Sequence, residues 1–243
     1  MAAYQVAIEA GITPKAVAGF SAGEYSALVA SGMLSFEECL KIIDYRASCM
    51  AEAAATKPGV MRSVLGVEAD TVYAVCDDVN KDYPTVEVVV ANDNCPEQVT
   101  ISGTKEAVDE VSQVLKVSAR RIIPLKVGGA FHSPMMDGAK DKLKKFIEPI
   151  EFAPPTIPIV SNVSANYMDN TEAKKFIPKQ VASTVKFRQS INKLIEDGFD
   201  TFIEVGVKRT VIGFVRVIDA NAKTFNIDDT KSLEKTLAGL KNN

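Results

Sequence analysis

The 243-residue chain has one histidine, four cysteines and no apolar run near the roughly 18 residues that a membrane-crossing helix needs. Each scarcity removes a class of function. With 28 Lys+Arg against 31 Asp+Glu and a formal net charge of -3, the chain lacks the basic excess that phosphate neutralisation demands, so no nucleic-acid partner is expected. Cys39, Cys49, Cys76 and Cys95 form no C-x-x-C pair and no zinc-like spacing. They read as reduced, buried thiols of a cytoplasmic protein. The opening Met1-Ala2-Ala3-Tyr4-Gln5-Val6 has no basic region ahead of an apolar stretch, so neither export nor membrane attachment is expected. Only 14 Gly and 11 Pro exclude a collagenous or low-complexity chain. What is present, 47% hydrophobic and 24% charged residues, is the composition of a folded globular protein of one large domain or two small ones.

Along the chain, Tyr4 to Ala10 is helical in pattern and Gly11-Ile12-Thr13-Pro14 breaks it. Ala16 to Ala18 reads as a short strand, and Ala22 to Ala30, followed by Gly32, as a helix. Ser35 and Glu38 have the spacing of a capping box for a helix running to about Ala55. From Gly59 the pattern predicts strand (to Val67), helix (Ala69 to Val79), two strands (Val86 to Ala91, Gln98 to Ser102), helix (Lys105 to Val117) and strand (Ile122 to Val127). That βαββαβ order is ferredoxin-like, and residues 58–126 are expected to form an inserted subdomain. Beyond it the pattern predicts helices near Met136 to Ile147, Asn170 to Val181, Gln189 to Asp197, Thr210 to Ala220 and Ser232 to Leu240, with strands at Ile157 to Ser161 and Thr201 to Val205. Residues 1–57 and 127–243 are therefore expected to form one α/β core around a parallel sheet.

Three residues carry candidate chemistry. Ser21 lies in Gly19-Phe20-Ser21-Ala22-Gly23, a G-x-S-x-G pattern between predicted strand and helix, the context of a nucleophile elbow. Glycines there would avoid collisions with strand and helix, and the helix N-terminus would favour an oxyanion. The plainer reading makes Ser21 a helix cap. A serine hydroxyl needs a base, and His132, in Gly128-Gly129-Ala130-Phe131-His132-Ser133-Pro134, is the only imidazole. Arg46 falls on the apolar stripe of Cys39, Ile42, Ile43 and Met50, where a guanidinium needs an anion, either a protein carboxylate or one on a substrate.

With Gly19 to Leu28, Tyr45-Arg46, Gly129 to Met136 and Phe202-Ile203-Glu204-Val205-Gly206 in this order, the chain resembles the malonyl-CoA:acyl-carrier-protein transacylase family from residue 1 to about 227. The resemblance implies a parallel-sheet, hydrolase-like (patatin/acyltransferase-like) core. It implies Ser21 as acylated nucleophile, His132 as its base and Arg46 as ligand of the malonyl carboxylate. Gln180 matches the position whose backbone carbonyl orients the histidine. Phe131 matches a position tied to preference for malonyl over methylmalonyl, and Ala22 matches an oxyanion N–H donor. Malonyl-CoA and acyl carrier protein are the implied partners, in fatty acid or polyketide synthesis, with no cofactor or metal.

Three departures accompany it. Phe20 replaces the family's histidine, which should alter packing rather than remove a step. Gly206-Val207-Lys208-Arg209 replaces a Gly-Pro-Gly-Lys turn. The family's N-terminal strand, with a loop supplying a second oxyanion donor, is expected to be absent, and losing one such donor costs on the order of 10² to 10³ in rate. Two alternatives follow: a serine acyl hydrolase using Asp137 of Asp137-Gly138-Ala139, or a catalytically impaired carrier-protein binder in which Lys208, Arg209 and Arg216 face an acidic partner.

Overall fold

A computed structural model describes residues 1–83 and 87–241. The elbow region is assembled first. Helix α1 (Ala2–Glu9) leads to strand β1 (Val17–Ala18), helix α2 (Gly23–Ala30) and the long helix α3 (Phe36–Thr56). The sequence signal for α3 is realised atom for atom: the Ser35 hydroxyl accepts the Glu38 N–H at 3.1 Å, and the Glu38 carboxylate accepts the Ser35 N–H at 3.2 Å. Both groups would otherwise be unpaired at the helix start.

Strand β2 (Val60–Leu65), helix α4 (Ala69–Asp82), strands β3 (Val88–Cys95) and β4 (Gln98–Gly103), helix α5 (Lys105–Leu115) and strand β5 (Arg121–Pro124) follow. Of the expected strand starting at Val86, that first residue lies outside the described residues. The strands pair antiparallel in the order β5-β2-β4-β3, and α4 and α5 bury Val72, Cys76, Val108 and Val111 against Val64, Val90, Val99 and Ile101. β5 stops at Pro124, three residues short of the expected end. Its apolar continuation, Leu125 and Val127, lines a cavity beside Ser21 and so is not spent on strand pairing.

A 3-10 turn (Pro134–Met136) opens helix α6 (Asp137–Ile147), and strand β6 (Ile159–Val160), helix α7 (Asn170–Gln180), strand β7 (Val185–Lys186), helix α8 (Phe187–Glu196) and strand β8 (Thr201–Val205) complete most of the pattern. Helix α9 (Thr210–Ile218), strand β9 (Lys223–Ile227) and helix α10 (Thr230–Lys241) end the chain. β7 and β9 are not legible in the sequence: one has two residues and the other interleaves Lys223, Thr224 and Asn226. β7 adds in parallel to β3, so one five-stranded sheet joins residues of the two expected parts.

The single parallel sheet expected for the core is replaced by two parallel pairs, β1-β6 and β8-β9. Residues of β1 and β8, each paired with one strand among the described residues, line one largely apolar cavity of about 880 Å³, with Tyr4, Ile8, Leu194, Phe199 and Phe202 on its walls. Helices α2, α3, α6 and α7 pack around Leu28, Ile42, Leu143 and Ile177, all with zero exposure, and hold the loops carrying Ser21 and His132 against each other. Burial of one such side chain stabilises by about 1.5–3 kcal/mol. Among the described residues no helix is long and apolar enough to cross a membrane.

Candidate active site

The turn from β1 to α2 is sharp enough that one glycine in it is obligatory. A Cβ on Gly19 would lie 2.1 Å from the Glu24 backbone nitrogen, inside the first turn of α2. At Gly23 nothing lies within 4 Å, so the expected collision holds for the first glycine of the motif and not for the second. Ser21 takes the left-handed conformation, φ 50°, which is costly for a residue with a Cβ and persists only where the surroundings hold it. Here Asn162, fully buried at the end of β6, does the holding: its Oδ1 accepts the Ser21 N–H at 2.8 Å and its Nδ2 donates to the Gly19 carbonyl at 2.6 Å.

His132 also has a left-handed backbone, φ 59°, and Gly129 just before it lets the loop press on α3, where a Cβ would meet that of Ala54 at 2.5 Å. The imidazole is buried, and its Nδ1 lies 2.8 Å from the Gln180 backbone oxygen. A carbonyl can only accept, so Nδ1 carries the proton and Nε2 is left as acceptor. Nε2 is 2.7 Å from Ser21 Oγ, with 111 residues of chain between the two. Burial pushes the imidazole down to about 4, the neighbouring Arg46 lowering it further against the raising effect of the Gln180 carbonyl. A neutral imidazole acceptor beside a hydroxyl is the arrangement that takes a proton from an attacking serine.

Arg46 lies beside Ser21 and Gln180. It is buried with its guanidinium 5.3 Å from the centre of the Tyr25 ring, and no carboxylate pairs with it among the described residues. Its Nη2 donates to Ser21 Oγ and to Gln180 Oε1, each at 3.3 Å, and among the described residues its Nε has no acceptor. A buried guanidinium without a carboxylate next to a nucleophile can receive an anionic group from outside. Ser21, Arg46, Phe131 and His132 line a cavity of about 640 Å³ with Met50, Met61 and Asn92, so its walls come from α3, β2, β3 and the loop before His132.

The remaining sequence candidates divide. Ala22 is exposed at the start of α2, and among the described residues nothing accepts its N–H. Gln180 is fully buried and engages by side chain as well as backbone, its Nε2 donating to the Ser21 carbonyl at 2.9 Å and to Glu24. Phe20 packs edge-on against Phe187, ring centres 5.3 Å apart, and meets Phe214 at 5.9 Å. Asp137 pairs with Lys140 at 2.5 Å on the exposed start of α6 and does not belong to the cavity lining, so the Ser-Asp arrangement has no base there. Lys208 and Arg209 are exposed, in a turn where Gly206 and Lys208 have φ of 142° and 84°.

Glu24 and Asn162 are the site residues that sequence reasoning missed. Glu24 is fully buried, its Oε1 accepting the Asn162 N–H at 2.9 Å and its other oxygen the Gln180 amide. Burial raises its carboxyl to about 7 despite these two hydrogen bonds. An acidic residue on the otherwise small-residue helix start was a usable signal for Glu24. None existed for Asn162, because it depends on β6 pairing beside β1.

The sequence model of the acyl transferase domain family matches residues 1–221. The malonyl CoA-acyl carrier protein transacylase of Bacillus subtilis (strain 168) is 40% identical over 235 residues, covering 96% of this chain and 74% of that protein. The protein of the same name from Staphylococcus aureus (strain MSSA476) is 36% identical over 225 residues, 92% of this chain and 72% of its own length. Among solved structures, the malonyl CoA-acyl carrier protein transacylase of Clostridium perfringens superposes with a TM-score of 0.93 at 34% identity, over 100% of this chain and 76% of that one. A complex of a type II PKS acyl-carrier protein with its malonyl-transacylase superposes with a TM-score of 0.91 at 31% identity, over 100% of this chain and 77% of that one.

Proposed function

The chain belongs to the acyl transferase domain family, and from that premise we propose how its residues move a malonyl group from malonyl-CoA to the phosphopantetheine thiol of an acyl carrier protein. The observation that carries the reading is the hydrogen-bonded series Ser21 Oγ, His132 Nε2, His132 Nδ1, Gln180 carbonyl, at 2.7 and 2.8 Å, opening on a cavity that also holds Arg46. His132 Nε2 takes the hydroxyl proton as Ser21 Oγ attacks the thioester carbonyl. The tetrahedral oxyanion lies over the start of α2, where the free Ala22 N–H and the helix N-terminus favour negative charge. Collapse breaks the C–S bond, and the Nε2 proton goes to the departing CoA thiolate, leaving malonyl-Ser21.

The second half runs the same groups in reverse. The carrier-protein thiol gives its proton to Nε2 and attacks the ester carbonyl, and collapse returns the proton to Ser21 Oγ. The Arg46 guanidinium pairs with the free carboxylate of the malonyl group, which replaces its weak 3.3 Å contacts with a charge-assisted pair. An acetyl group brings that buried guanidinium no counter-ion, so selection for a dicarboxylic acyl group follows. Phe131, on the cavity wall, limits substituents on the malonyl carbon. The steps draw on side chains, backbone and the substrates' own thioester, with no metal or bound cofactor.

The finer architecture belongs to the same reading. The β5-β2-β4-β3 order with two covering helices supports a ferredoxin-like subdomain at residues 58–126, set into a hydrolase-like core of residues 1–57 and 127–243. Four reduced thiols support a cytoplasmic setting, since all are buried and free. Transfer is tested by incubating the protein with malonyl-CoA and phosphopantetheinylated carrier protein and weighing the carrier. A malonyl mass increment that requires the phosphopantetheine arm and Ser21 supports the reading, and an unmodified carrier overturns it.

A further inference from the structure

Gln180 faces two ways, and a side-chain amide has no intrinsic preference between its orientations. With Nε2 turned to the Ser21 carbonyl and to Glu24, its Oε1 is presented to Arg46 Nη2 at 3.3 Å. Turned over, the amide would aim its NH2 at the guanidinium, donor against donor, and its oxygen at two acceptors. The Ser21 carbonyl and the Glu24 carboxyl group both accept from the amide in the observed orientation, and the carboxyl group is buried completely. Its second oxygen is anchored by the Asn162 N–H at 2.9 Å, and Asn162 in turn holds the Ser21 turn. Glu24 therefore stands under the nucleophile, touching neither the cavity nor the reacting atoms, with the amide of Gln180 between it and Arg46.

We propose that Glu24 is a positioning residue for acyl-group selection: acting through Gln180, it holds the Arg46 guanidinium in the orientation that receives the acyl carboxylate. The role rests on the reading of Arg46 as that carboxylate's ligand. With Gln180 locked, Arg46 Nη2 is shared between Oε1 and Ser21 Oγ, and the buried Nε is kept free of protein acceptors. With Gln180 unlocked, the guanidinium loses the Oε1 acceptor and keeps its contact with the nucleophile.

The test compares second-order rates of Ser21 acylation by malonyl-CoA and by acetyl-CoA, followed by intact mass, in Glu24→Gln, Gln180→Leu, the double variant and Arg46→Ala. Glu24→Gln keeps the shape of residue 24 but can turn a donor toward Gln180, so the malonyl-to-acetyl ratio should fall about ten-fold or more, through KM for malonyl-CoA more than through kcat. A merely structural defect lowers both rates alike and leaves the ratio unchanged. Gln180→Leu should lower the ratio by a similar factor, and the double variant should be no worse than Gln180→Leu, because both changes break one linkage. If Glu24→Gln does not fold, Gln180→Leu alone decides. An unchanged ratio in either folded single variant, while Arg46→Ala collapses it, overturns the positioning role and spares the arginine reading. An unchanged ratio in all of them, Arg46→Ala included, overturns both.

Discussion

The Nδ1–H of His132 is held by the backbone carbonyl of Gln180 at 2.8 Å, so a main-chain oxygen and not a carboxylate orients this imidazole. Among the described residues no carboxylate pairs with the imidazole. Burial and Arg46 act on it together, and it sits at about 4 in place of 6.5. A general base works when neutral, so on the proposed role Ser21 acylation by acetyl-CoA, which makes no call on Arg46 or Glu24, should persist as pH falls to about 5 and decline through about 4. A limb centred near 6.5 in the pH profile of the single-turnover rate with acetyl-CoA would contradict this. Stability carries the same shift with a defined sign. Between pH 6.5 and about 4 the unfolded chain binds a proton at His132 that the folded chain refuses, so this residue's contribution to stability is intact above 6.5 and is lost as pH drops toward about 4.

Removing the imidazole tests the role itself. His132→Ala should slow Ser21 acylation by malonyl-CoA about a thousand-fold, within the 10²–10⁴ range of general-base catalysis. Asp137→Asn should leave it unchanged, since Asp137 bonds Lys140 at the surface. The opposite pattern in single-turnover mass measurements would reinstate a Ser-Asp site.

The two glycines of the elbow should behave differently. Gly19→Ala forces a Cβ to within 2.1 Å of the Glu24 nitrogen and 2.2 Å of the Gly23 carbonyl carbon, both backbone atoms that cannot swing aside. Acylation should be lost and the thermal midpoint lowered. Gly23→Ala places its Cβ in open space and should change stability by no more than about 0.5 kcal/mol. Equal tolerance at both positions in melting experiments would mean that the turn is looser than described.

Asp93 on β3 is fully buried and accepts both Nε and Nη2 of Arg188 at 2.8 Å, with Gln189 Nε2 at 2.6 Å. This bidentate pair ties α8 to the five-stranded sheet and thus to the wall of the cavity formed by Asn92. Arg188→Ala strands a buried carboxylate and should cost about 3 kcal/mol in denaturant titration, with a smaller loss for Arg188→Lys. A change below about 0.5 kcal/mol in either direction would show that water takes over the pairing.

Much of this site was legible because its residues sit at punctuation marks of the pattern. Ser21 lies where an apolar strand meets a helix of small residues, His132 follows paired glycines, and Arg46 interrupts an apolar helical stripe. Gln180 was legible only through family resemblance, since a glutamine at a helix end carries no chemical signal of its own. Asn162 and Glu24 act through contacts made across strand pairing and helix packing, 138 residues apart in sequence, and no local pattern encodes such a meeting. The antiparallel strands of residues 60–124 were readable from alternation and turn residues. The split of the parallel strands into two pairs was not, because periodicity reports which residues are buried and says nothing about which strand edge meets which.

The central claim is that Ser21 takes a malonyl group from CoA with Arg46 selecting for its carboxylate. Its most direct test is the intact mass of the protein after brief incubation with malonyl-CoA, beside acetyl-CoA, Ser21→Ala and Arg46→Ala. The account predicts one malonyl adduct on the wild-type chain, none on Ser21→Ala, little from acetyl-CoA, and a marked loss of malonyl labelling in Arg46→Ala. Well-folded protein that stays unmodified, or that labels equally with acetyl-CoA and without Arg46, would contradict it.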